Sequence, residues 1–139
     1  MNRPTNEVLG RLCFLAKTQG IIPDPVNAVR IRAGNAADGN VSATVYSVPV
    51  GMIAYISNAS LDSVCGATLG STGMRVKNKA GAVQYYIHFI NFAAANTHDH
   101  AVGQFIPALE LSAEWYIEVY GTVSGQYVRG DVFGWLESV

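Results

Sequence analysis

His98, Asp99 and His100 place two imidazoles two positions apart. On a β-strand, where side chains alternate, that spacing sends both to one face, which is how a barrel gathers ligands for a zinc ion. His88 lies ten residues upstream. The segment reads as loop, however, and the next acid, Glu110, stands beyond Pro107. We therefore expect histidines that meet water or a backbone carbonyl, and no metal. Glu114 and Glu118 flank Trp115, Ile117 and Val119. Alternation puts the two acids on one face with Tyr116, where a pair of carboxyl groups about 5–10 Å apart can cleave a glycoside. Acids on the outward face of a strand are far more common, and exposed glutamates are expected. Val123-Ser124-Gly125 lacks the leading glycine and following helix of a nucleophile elbow. The glycines are spaced as turns and form no phosphate-cradling loop. The residues predict neither catalysis nor a cofactor.

Aromatic residues suit binding better. Tyr85 and Tyr86 are neighbours and must point to opposite faces, while Tyr116, Tyr120, Tyr127, Phe133 and Trp135 fall on the last strands. Stacked rings recognise sugars, but they also fill sandwich cores and protein interfaces, and core or interface is the expected use.

The elements that hold these residues are strands. Asn6 to Gln19 carries Val8, Leu9, Leu12, Leu15 and Ala16 at helical spacing, with Gly20 as a stop. Pro23-Asp24-Pro25 then breaks regular structure. Beyond it, Val26–Arg32 alternates, Gly34–Gly39 reads as a polar turn, and Val41–Ser47 alternates again. Val48-Pro49-Val50-Gly51 is a tight corner leading into Met52–Asp62, with Met52, Ala54, Ile56 and Asn58 on one face. Further strands are predicted over 73–78, 83–92, 115–120 and 127–136, with a short one at 104–106. Lys79–Ala82 is a hairpin turn and Asn91–Val102 a loop. About eight antiparallel strands with turn signals between them predict an all-β, jelly-roll-like sandwich. Residues 1–25 are read as an N-terminal arm and elbow, and residues 26–139 as the β-sandwich domain.

Composition narrows the function classes. Half of the 139 residues are apolar and 14% are charged, against about 25% in an ordinary globular chain. A small domain cannot hide all its apolar groups, so parts of its outside are expected to be covered by copies of itself or a partner. Nine Lys and Arg against ten Asp and Glu give a net charge of −1, which argues against nucleic acid. Arg75, Lys77 and Lys79 alternate along a strand and are expected to form a solvated face. Val8–Ala16 is interrupted by Arg11 and falls short of the ~20 residues that cross a bilayer, so no membrane is expected. No secretory signal is read at Met1-Asn2-Arg3-Pro4. Synthesis in a cytoplasm is expected, with Cys13 and Cys65 as free thiols packed like small hydrophobes.

The Val48-Pro49-Val50-Gly51 corner leads into Met52–Ser60, Leu111–Val119 follows later, and Gly134-Trp135-Leu136-Glu137 closes the body. This layout, over roughly residues 45–139, resembles the small jelly-roll capsid cement, or decoration, proteins of tailed bacteriophages. The resemblance implies a homo-oligomer, dimer or trimer, on the outside of a virion capsid, made in the host cytoplasm. Its partners would be major capsid subunits and copies of itself, and it carries over no catalytic, metal or cofactor residue. Leu9, Leu12 and Phe14 of the arm are the expected clamp onto a neighbouring subunit. A carbohydrate- or receptor-binding module of a phage head or tail fibre is the alternative. The chain departs from cupins, in which a glutamate and a glycine follow the His-x-His.

Overall fold

In a computed structural model, which describes Ala16 and residues 28–139, eight strands make up the described fold. They are β1 (Val29–Asp38), β2 (Ser42–Ser47), β3 (Met52–Val64), β4 (Ser71–Lys77), β5 (Val83–Asn91), β6 (His98–Leu111), β7 (Tyr116–Gly121) and β8 (Tyr127–Ser138). Two four-stranded sheets have the orders β1-β8-β3-β6 and β2-β7-β4-β5, and every neighbouring pair is antiparallel. The pairs β1–β8, β2–β7, β3–β6 and β4–β5 describe one long hairpin, folded at residues 78–82 and rolled into two layers. That is the jelly roll. The arm boundary, Cys13, Leu9, Leu12 and Phe14 lie outside the described residues.

Alternation aims one side of each strand at the core. β1 sends in Ile31 and Ala37, β3 Ala54, Ile56, Ala59 and Leu61, and β8 Val128, Val132 and Leu136. They meet Val45, Met74, Val76, Ile90, Ile117 and Val119 of the second sheet. Each large aliphatic side chain buried this way contributes about 1.5–3 kcal/mol. Where the layers need a polar joint, Thr72 Oγ1 donates to Ser63 Oγ at 2.7 Å, both fully buried. Cys65 is a buried free thiol whose Sγ donates to the Thr68 carbonyl.

Three local readings of the sequence change. Gly34–Gly39 is not a turn: β1 runs on to Asp38 because each residue pairs with β8, through Asp38 opposite Tyr127. The polar composition of this stretch yields to a partner strand. In β3 an extra residue at Ser57 shifts the register between Ile56 and Asn58 against both neighbours. This β-bulge inverts the phase, so Ala59, Leu61 and Ser63 face inward and Asn58 does not. The long loop at 91–102 shrinks to residues 92–97, and the short strand expected at 104–106 is the middle of β6. The corner at 48–51 stands as read, and the hairpin turn read at 79–82 begins one residue earlier, at Asn78: Met52 N donates to the Pro49 carbonyl, and Asn78 Oδ1 accepts from Ala82 N at 2.9 Å.

Candidate functional site

The outward face of the second sheet gathers the residues with the most chemistry. Register places Ser42, Tyr120, Gly73 and Phe89 in one row across β2, β7, β4 and β5. Thr44, Glu118, Arg75 and Tyr86 form the next, and Ser47, Tyr116, Lys77 and Val83 the third. The basic trio and the acid pair of the sequence are therefore facing ladders. Arg75 Nε donates to Glu118 Oε1 at 2.6 Å, Lys77 Nζ lies 2.8 Å from the same oxygen, and Lys79 pairs with Glu114 at 2.7 Å. Glu118 is only 4% exposed, so the expected solvated acid is instead covered by two cations. Burial pushes its carboxyl up, but the hydrogen bonds and charges of Lys77 and Arg75 outweigh this and hold it below its ordinary value.

Tyr120 completes the arrangement. A Cβ on Gly73 would come within 2.7 Å of the Tyr120 phenol oxygen and two of its ring carbons, so the glycine is what lets the ring lie across β4. The Arg75 guanidinium covers the ring at 4.2 Å, and Tyr86 meets it edge-on at 6.4 Å. Burial raises the Tyr120 phenol, with Tyr86 adding to the shift. Beside this stack a shallow groove of about 380 Å³ is lined by Asn40, Val41, Ser42, Arg75, Tyr120, Gly121 and Thr122. On the edge strand, Tyr86 and Phe89 remain more than half exposed. The sequence missed this cluster because its parts lie on strands far apart in the chain. Basic residues two apart and acids four apart, each set on one face of a strand, were the available signal.

The first sheet holds His98 and His100. Nε2 of His98 meets Asp62 Oδ1, while His88 Nε2, on the other sheet, donates to the Ala59 carbonyl at 3.0 Å. Both His98 and His100 lie on β6 rather than in a loop. Among the described residues no three His, Cys, Asp or Glu side chains converge as a metal-binding group. Glu114 and Glu118 are divided between different lysines, and nothing aims them together at a common point. Trp135 stacks on Tyr55 at 5.4 Å and donates from Nε1 to Glu137. Tyr85 and Tyr86 point to opposite sides, Tyr85 against the core and Tyr86 outward.

No family model and no curated protein matches the chain. Among solved structures it is similar to a chain of the acidic stable capsid structure of Helicobacter pylori bacteriophage KHP30, with a TM-score of 0.54 and 14% identity. That match covers 78% of this chain and 90% of the other. A chain of the cyanophage Pam1 capsid asymmetric unit gives a TM-score of 0.46 at 14% identity, over 82% and 89% of the two chains. One from Bacillus endospore appendages, a family of disulfide-linked pili, gives 0.45 at 9% identity, over 81% and 89%. At these identities the likeness is one of fold: the jelly roll of this chain is shared with a protein of a phage capsid.

Proposed function

We propose that the protein is a structural, non-enzymatic component of a virion, bound to the outside of an assembled capsid and bridging major capsid subunits. The observation that carries the reading is a jelly roll, of a kind also found in a phage capsid, whose outer surface is rich in exposed apolar groups and poor in charge. Val102 is 74% exposed and Ile106 71% exposed. Apolar groups left open in this way suit a molecule covered by neighbours. A protein that binds only the assembled shell stabilises it by mass action, and repeated contacts replace strong single ones by avidity. Leu9, Leu12 and Phe14 are the proposed clamp. Deleting residues 1–20 is expected to abolish co-sedimentation with expanded capsid shells while the strand-rich circular dichroism persists. Undiminished binding by the truncated chain would overturn the clamp.

A second reading rests on the groove beside Tyr120. Hydroxyl and amide side chains next to a planar guanidinium, with Tyr86 and Phe89 open nearby, suit a carbohydrate. Glycan-array binding that disappears with Tyr86→Ala would favour it over the shell.

A further inference from the structure

The outward face of the first sheet is self-complementary, and we infer that two copies of this chain pack there face to face. Four successive register rows of this face cross β1, β8, β3 and β6 in that order. They read Asp38-Tyr127-Val64-His98, Ala36-Arg129-Asp62-His100, Gly34-Asp131-Ser60-Val102 and Arg32-Phe133-Asn58-Gln104. A two-fold axis along the strands, between β8 and β3, lays each row on its own reversal in the second copy. Asp38 then opposes His98, Arg129 opposes Asp62, and Tyr127 opposes Val64. Symmetry supplies each pair twice. No like charges oppose one another in any of the four rows.

Tyr127, Val64, Val102 and Phe133 supply the apolar part, all of them exposed. Arg129 already holds Asp131 and His98 already meets Asp62, so these four are not buried singly, while the Arg32 guanidinium lies 6.0 Å from the centroid of the Phe133 ring. Sheets that pack face to face with aligned strands keep their mean strand directions within about 30° of each other, and this axis meets that condition. Four strands about 4.8 Å apart and four rows about 6.8 Å apart span roughly 19 by 27 Å. This is roughly 1,000 Å² over both copies, the lower bound of a specific interface. The inference deepens the proposed self-association of a capsid component, but it stands on the face's own charge pattern.

Sedimentation equilibrium of the full chain tests it without any particle. A dimer is expected at tens of micromolar. Arg129→Asp alone and Asp62→Arg alone should each weaken it more than tenfold, and the two together should recover it. Val102 opposes Gly34 beside the Asp131 carboxylate, so Val102→Glu should leave a monomer, whereas Val102→Lys should keep the dimer. An unchanged melting temperature of the Val102 variants shows that the fold is intact. A chain monomeric at all concentrations, or a dimer indifferent to these changes, or equal loss with Val102→Glu and Val102→Lys, overturns the inference. None of these results bears on shell binding, which is read separately by co-sedimentation.

Discussion

Glu118 stands on the outward side of β7, yet Arg75 and Lys77 close over it, so its carboxylate is an acceptor that two part-buried cations share. Glu118→Gln keeps the size and removes the charge. It is expected to destabilise the fold by about 1–3 kcal/mol at neutral pH, because hydrogen bonds to charged groups are lost while their donors stay covered. Urea unfolding measures this. The pH dependence has a definite sign. A carboxyl whose value is lowered by folding contributes stability that is complete above the ordinary glutamate range and disappears as pH falls through it toward the lowered value. The gap between the native chain and Glu118→Gln should therefore narrow on acidification. A gap that stays constant, or widens in acid, would show that charge is not what Glu118 contributes.

At the scale of the element, the bulge in β3 decides which side chains reach the core, and Gly134 of β8 makes room for it. A Cβ there would lie 1.9 Å from the Tyr55 carbonyl oxygen and 2.9 Å from Ile56 Cα. Backbone cannot rotate away as a side chain can, so Gly134→Ala should cost about 3 kcal/mol, the upper end of ordinary overpacking. A melting temperature within a degree of the native value would refute the close approach. The bulge also marks where the sequence stops being readable. Alternation alone placed Ile117 and Val119 inside and Glu118 outside, since a two-residue period is local. The extra residue at Ser57 leaves no local trace, because only pairing with β6 and β8 defines it. β6 was hidden for the same reason. Its histidines and Pro107 weaken the strand signal, and ladder partners from Val64–His98 to Ala54–Leu111 restore it. The Glu118 cluster was half legible, as two charge ladders whose adjacency only the fold supplies.

For the whole molecule, eight strands and a shortage of charge were legible, but strand order depends on pairings between distant parts of the chain. The roll also sorts its connections to two ends. Ala28, the corner at 48–51, the hairpin at 78–82, residues 112–115 and Val139 share one end, tied by Val139 N to the Gly51 carbonyl and Val48 N to the Trp115 carbonyl. Residues 39–41, 65–70, 92–97 and 122–126 share the other, tied by Gly39 N to the Gln126 carbonyl and Asn96 N to the Gly66 carbonyl. The proposed arm enters the sandwich at Ala28, so a shell held by Leu9, Leu12 and Phe14 should lie against the first end. Exposed loop tips accept insertions without loss of fold, and both 79–80 and 94–95 are exposed. A short Gly-Ser segment inserted between Ala94 and Ala95 should leave co-sedimentation with shells unchanged. The same segment between Lys79 and Ala80 should weaken it severalfold, at an equal melting temperature. If the Ala94–Ala95 insertion is the one that blocks binding, the molecule meets its shell by the opposite end.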